Sequence, residues 1–293
     1  MFDILTFTHL LNGLLMVAFP LGLGIILERR IHLGWRLWWI GAGTFILSQA
    51  FHIPFNNALT GLFRQGVLPA PPSGWELPFN AVILGLSAGV WEETARYAVF
   101  RWWAKDARTW RKGVLFGAGH GGIEAILLGV LVLINFFYFV AIRSADLSTL
   151  VPANQLPLAQ AAVAAYWSAP WYGTLLGALE RLFTLPVQIC LTVLVLQAFI
   201  RNQRRWYVAA IAWHALADAV AVIALSKWGA YTTETIIALF SLISLGIIFV
   251  LRQPEPPSEL VNAPKTGFAP LPPMIESDVL ETPEKLDQTR YSP

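Results

Sequence analysis

The sequence predicts an all-α fold, a polytopic bundle of about seven transmembrane helices with the N-terminus outside and the C-terminus in the cytoplasm. Three observations predict it. Of the 293 residues 56% are hydrophobic and 13% charged, with a mean hydropathy of +0.57; that charged share is about half of what a soluble domain carries. Seven apolar segments are each long enough to cross about 30 Å of hydrocarbon. The basic residues alternate from loop to loop, as they do in a chain that threads a membrane repeatedly.

In chain order the segments fall near 5–27, 34–55, 77–100, 113–141, 171–200, 206–226 and 231–251. The first has no basic leader and no small-residue cleavage site, so it reads as a retained helix. The connections after the first, third and fifth segments are basic: Arg29, Arg30 and Arg36; Arg101, Lys105, Arg108, Arg111 and Lys112; Arg201, Arg204 and Arg205. The alternate connections hold only Arg64, Arg143 and Lys227. The basic connections therefore face the cytoplasm. The outward loops, 56–76 and 142–170, have room for short interfacial helices. Trp35, Trp38, Trp39, Trp102, Trp103 and Trp206, near segment ends, suit an interfacial belt. Cys190 stands alone, which excludes an internal disulfide and a cysteine metal cluster. Residues 253–293 change character, with nine prolines and seven acidic groups against three basic ones. The chain thus divides into a helical domain, 1–252, and a Pro-rich acidic cytoplasmic tail, 253–293, expected to be disordered.

Ionisable groups inside the segments are few and costly, about 2.5–3.5 kcal/mol each at a helix centre. They are Glu92, Glu93 and Arg96 in the third, Glu124 in the fourth, Glu180 and Arg181 in the fifth and Asp218 in the sixth, with His120 and His214. Each arginine adjoins a glutamate. Glu92 and Arg96, His120 and Glu124, and His214 and Asp218 are spaced i, i+4, which places each pair on one helix face. Counted at 1.5 Å per residue from the cytoplasmic ends, the histidines lie about 12 Å deep and Glu92 and Glu93 about 12–14 Å. Asp218, Glu124 and Gln188 come out at about 18 Å. Side chains from four helices reach similar levels. Glu180 lies nearer the outer face.

Imidazoles and carboxylates at one depth suit hydrolysis. A glutamate takes a proton from water; a histidine binds a metal or polarises a carbonyl. Mixed His and carboxylate donors suit a catalytic zinc, although HExxH is absent. A divalent metal, zinc, held by His120, His214 and Glu124 is the expected cofactor. The run Gly117-Ala118-Gly119-His120-Gly121-Gly122 predicts close helix packing or a local break at His120. Gly85-Leu86-Ser87-Ala88-Gly89 matches a nucleophile motif that needs a strand–turn–helix context, so Ser87 reads as a coincidence within a helix. His9, His32 and His52 lack comparable partners and read as structural.

At these residues the sequence resembles a known family. The stretch Glu92-Glu93-Thr94-Ala95-Arg96 is similar to the first motif of the PrsW-like proteases and the CAAX-prenyl endopeptidases. GHGGIEAI, ERLFTLP and HALAD resemble the further motifs of the YhfC family of intramembrane metalloproteases. The likeness covers about residues 10–250. It implies that Glu92 or Glu93 activates water with Arg96 as partner. Further site elements would be His120 with Glu124 and His214 with Asp218, supported by Glu180 and Arg181. The chain departs from the family pattern at Gln188, where a histidine is expected; an amide neither transfers protons nor ligates zinc well.

The implied function is peptide-bond hydrolysis in or near the membrane, on a membrane-embedded or membrane-proximal peptide. The surroundings are lipid, in a prokaryotic plasma membrane, with no nucleic-acid partner. Two alternatives stay open: a non-catalytic family member, which Gln188 favours, and a proton or substrate transporter using the same acids.

Overall fold

The computed structural model describes residues 3–254, and these are helical with no strand among them. Eight α-helices follow in order: α1 Ile4–Ile31, α2 Arg36–Arg64, α3 Glu76–Trp102, α4 Trp110–Ile142, α5 Leu156–Ser168, α6 Leu176–Ile200, α7 Arg205–Trp228 and α8 Ala230–Val250. Seven coincide with the apolar segments. The expected tail falls almost wholly outside the described residues.

Among the described residues five stretches are long and apolar enough to cross a membrane: α1, α4, Gly173–Ile200 around α6, α7 and α8. The helices α2 and α3 are as long, but polar and charged side chains dilute their hydropathy. Two boundaries differ from the sequence reading. The first outward loop is half its expected length, because α2 continues through Asn56 and Asn57 to Arg64. The loop 142–170 holds a short 3₁₀ turn, Leu147–Thr149, and α5, as its room allowed.

The central helix is α6, with 72% of its apolar window buried, against 17% for both α4 and α7. Residues Gln188–Ala198 of α6 are buried without a break. The outer surface is apolar: Leu131, Ile134 and Phe137 of α4 are each about 60% exposed, the face a lipid-bathed helix presents.

Glycines set how closely the helices cross. A Cβ at Gly89 of α3 would come within 2.8 Å of the Ile211 carbonyl oxygen of α7, and one at Gly121 of α4 within 2.6 Å of Gln188 Cβ of α6. Gly119 lies against the Trp38 backbone of α2 in the same way. The expected break at His120 does not occur: α4 runs unbroken through its glycine cluster. Lost helix propensity, about 1 kcal/mol per glycine, is offset by backbone-to-backbone packing against α2 and α6.

The ends are tied by polar contacts. Asp3 caps α1, accepting from Thr6 N–H at 2.8 Å, and pairs with Arg143 at 2.7 Å; these bonds hold its carboxyl below the usual carboxylate range. At the opposite end Arg108 donates to the Phe100 carbonyl at 2.8 and 3.1 Å, closing α3.

Candidate functional site

The crossing of α3 and α7 builds the centre of the site. With Gly85 and Gly89 removing side-chain bulk, the next turn of α3 brings Glu92 and Glu93 beside His214. Arg96 lies one turn further along α3, fully buried. It pairs with Glu93, approaches Glu92 at 3.5 Å and donates to the Gln188 side-chain oxygen of α6. One guanidinium thus joins two adjacent carboxylates that would otherwise repel each other in a dry interior.

Each glutamate takes a different histidine. Glu92 Oε2 is 3.1 Å from His120 Nε2, and Glu93 Oε1 is 2.8 Å from His214 Nδ1. An ionised carboxylate only accepts, so these ring nitrogens carry the protons. Holding the proton on Nδ1 leaves His214 Nε2 turned the other way, 3.5 Å from Asp218. Glu93 Oε2, Arg96 Nε and His120 Nδ1 are buried without a hydrogen-bond partner among the described residues.

A second cluster lies further along α4 and α6. Arg181 donates to Glu124 at 2.8 Å and pairs with Glu180. The other oxygen of Glu124 accepts from the Gln188 amide at 2.7 Å. Gln188 therefore links the two arginines, accepting from Arg96 on one side and donating toward the Arg181 cluster on the other.

A cavity of about 160 Å³ opens between the clusters. Glu92, His214 and Asp218 line one side; Glu124, Glu180, Arg181 and Gln188 line the other. His120 and Glu93 do not line it. Of the residues singled out in the sequence, Glu92, Glu93, Arg96, His120 and His214 are thus in one bonded network that Gln188 extends to Glu124, Glu180 and Arg181, with Asp218 at its edge. The i, i+4 pairings hold for Glu92–Arg96 and His214–Asp218. His120 and Glu124 share a helix face but bond elsewhere.

His120, His214 and Glu124 do not converge on one point. His120 gives its Nε2 to Glu92 and does not line the cavity that His214 and Glu124 face. Among the described residues no three His, Cys, Asp or Glu side chains are grouped as ligands of one ion.

Sequence reasoning passed over Glu234, Gln49 and Asn56, and its reading of His52 as a histidine without comparable partners is corrected by the contacts of His52 to Gln49, Ser87 and Asn56. Glu234 of α8 is 7% exposed, with Oε2 unpartnered among the described residues. Gln49, His52 and Asn56 form a polar row on α2. Gln49 donates to Glu92 Oε1 at 3.1 Å, and His52 lies 3.2 Å from Ser87 Oγ. Their spacing, i, i+3 and i+7, was a visible signal of one helix face.

Comparison with known proteins gives the site its context. The model of a family described as YhfC intramembrane metalloprotease matches residues 15–241. Over 250 residues the chain is 32% identical to a Bacillus subtilis (strain 168) protein described as the uncharacterized membrane protein YhfC, covering 80% of this chain and 92% of that one. No solved structure matches. The metal in the family's description does not fit the donors as they stand here. Arg96 already supplies the positive charge between Glu92 and Glu93, and a divalent ion among these donors would face a guanidinium.

Proposed function

The chain belongs to the YhfC intramembrane metalloprotease family, and on that premise we propose that it is an integral membrane endopeptidase that uses glutamate-activated water. One observation carries the reading: Glu92 and His214 face one cavity, each fixed by a different buried partner, His120 behind Glu92 and Glu93 behind His214. Glu92 is the base, since Glu93 does not reach the cavity.

In this reading a water in the cavity gives its proton to Glu92, and its oxygen bonds to the carbonyl carbon of the scissile peptide. The carbonyl π electrons move to oxygen, where an N–H from the protonated His214 Nε2 or from the Gln188 amide stabilises the developing charge. Collapse breaks the C–N bond, and Glu92 returns its proton to the departing amine. Glu93 holds the Nδ1 proton and the orientation of the His214 ring, as a carboxylate behind an imidazole does. Arg96 keeps both glutamates ionised and apart. No step runs through a metal. The substrate is a peptide segment in or at the membrane, with its flanking apolar residues in lipid.

The test is cleavage of a membrane-peptide library by the purified protein in lipid nanodiscs. Glu92→Gln is expected to lower the rate by about 10³-fold or more and His214→Ala by about 10²-fold. Glu93→Gln, which loses orientation rather than the base, is expected to retain more activity than Glu92→Gln. Equal cleavage by wild type and Glu92→Gln removes the proposed base. Metal analysis adds an independent arm: the washed protein is expected to hold less than one equivalent of divalent metal and to keep its rate in chelator. Stoichiometric zinc, with activity lost on its removal, would restore the metal to the mechanism.

A further inference from the structure

The polar row on α2 lies outside the mechanism above, yet it ends on Glu92. Its hydrogen-bond directions follow from chemistry. The carboxylate of Glu92 accepts only, so Gln49 must present its NH₂ group, at 3.1 Å. The Gln49 oxygen then faces His52 Nδ1 at 3.3 Å, which must carry a proton. That leaves His52 Nε2 as the acceptor, and Asn56 Nδ2 donates to it at 2.8 Å. Every donor in the row, Asn56 to His52 to Gln49 to Glu92, points the same way. Ser87 of α3 stands 3.2 Å from the same His52 nitrogen and donates to the Leu84 carbonyl at 3.0 Å, so it flanks the ring without reversing the order.

We propose that Gln49 and His52 are positioning residues for hydrolysis: the one-way row from α2 holds the Glu92 carboxylate with its remaining lone pairs facing the cavity. The inference rests on the reading of Glu92 as the base. Its cause is geometric. Glu92 Oε2 is taken by His120 and Arg96, both near its own level. Without Gln49, Oε1 has no partner of its own and the carboxylate turns about its terminal bond. A structural reason for a half-buried histidine on α2 would need one partner; here the ring has a donor, an acceptor and a defined tautomer. The i, i+3, i+7 spacing places all three side chains on the α3-facing side of α2, where lipid does not compete for their bonds. Gln49, His52 and Asn56 are neither metal donors in a group nor lining of the cavity, so their contribution passes through Glu92 alone.

The experiment uses the full-length protein in nanodiscs and reads kcat, KM, thermal midpoint and the carboxylate infrared band that Glu92→Gln abolishes. His52→Ala is expected to lower kcat about tenfold or more with KM and midpoint unchanged. His52→Asn, which keeps a donor toward Gln49, is expected to restore kcat to within about twofold to threefold. Gln49→Ala is expected to match His52→Ala, and the double variant to lose no more than either alone, since the two act in series. An unchanged kcat in His52→Ala overturns the proposal. So does a loss that tracks a falling midpoint and is not rescued by His52→Asn. The infrared readout stands apart from activity. If the wild type cleaves nothing, the protease reading fails, while a shifted Glu92 band in His52→Ala still supports the row and an unshifted one overturns it.

Discussion

Two arginines, Arg96 and Arg181, each sit between a pair of glutamates, yet their surroundings differ in exposure. The side chains of Arg96 and Glu93 are both 0% exposed, and Glu92 is 7%. Around Arg181 the values rise to 8% for the arginine, 21% for Glu124 and 37% for Glu180. In the dry cluster the ions bond to side chains of other helices: His120 from α4, His214 from α7, Gln188 from α6 and Gln49 from α2. In the wetter one, the cavity stands in for some of those partners. The difference teaches which cluster is frame and which is rim. Charges without water must be fixed in advance, and fixed charges are what a hydrolytic centre needs. Charges at a cavity edge keep freedom to meet a substrate.

The comparison breaks most visibly at Arg96. Arg96→Met leaves Glu92 and Glu93 adjacent, ionised and uncompensated, which costs about 3–5 kcal/mol when one partner of a buried pair is removed. The expected outcome is a protein that fails to accumulate folded or whose thermal midpoint in detergent falls steeply. Arg96→Lys is expected to recover only part of this, because one ammonium cannot span Glu92, Glu93 and Gln188 as a planar fork does. A variant with an unchanged midpoint would mean that the two clusters do not differ in the way their exposure indicates.

Arg181→Met sharpens the contrast: its midpoint is expected to fall less than that of Arg96→Met, since Glu124 and Glu180 face the cavity. Its larger consequence is expected in KM, measured on a cleaved peptide, with kcat changed less. A loss of stability equal to that of Arg96→Met would place both arginines in the frame.

These assignments show how far the sequence could be read. Apolar runs specified the long helices, because nothing else pairs the backbone inside lipid. The i, i+4 spacing identified the polar faces, since rotation per residue is constant along a helix. Partner choice was not legible. His120 bonds to Glu92 of α3 rather than to Glu124 on its own face, because the packing of neighbouring helices, which spacing along one helix does not show, decides reach. The glycines of α4 suggested a break, and packing against α2 and α6 overrode their low propensity. Gln49 and Asn56 went unread because they are uncharged, and a scan for charge cannot see an amide that orients a carboxylate. Gln188 read as a defect when judged as an absent histidine; in the fold it bonds to both clusters.

The smallest expected effect lies where water is plentiful and extends the comparison to its limit. Arg36 at the start of α2 pairs with Asp106 at 2.9 Å, with the two side chains 61% and 57% exposed. The Arg36 guanidinium beside it holds the Asp106 carboxyl below its usual value of 3.8. A carboxyl depressed in the folded state stabilises the fold above its unfolded value and loses that contribution as pH falls through the folded value. The pair's share should therefore be present at neutral pH and disappear in acid below about pH 4. Solvent screening limits it to a few tenths of a kcal/mol. Arg36→Ala and Asp106→Ala are thus expected to move the thermal midpoint by about 1 °C or less at pH 7, with no difference from wild type in acid or in high salt. If either variant matched the loss expected for Arg96→Met, exposure to water would not be what separates the frame of this protein from its rim.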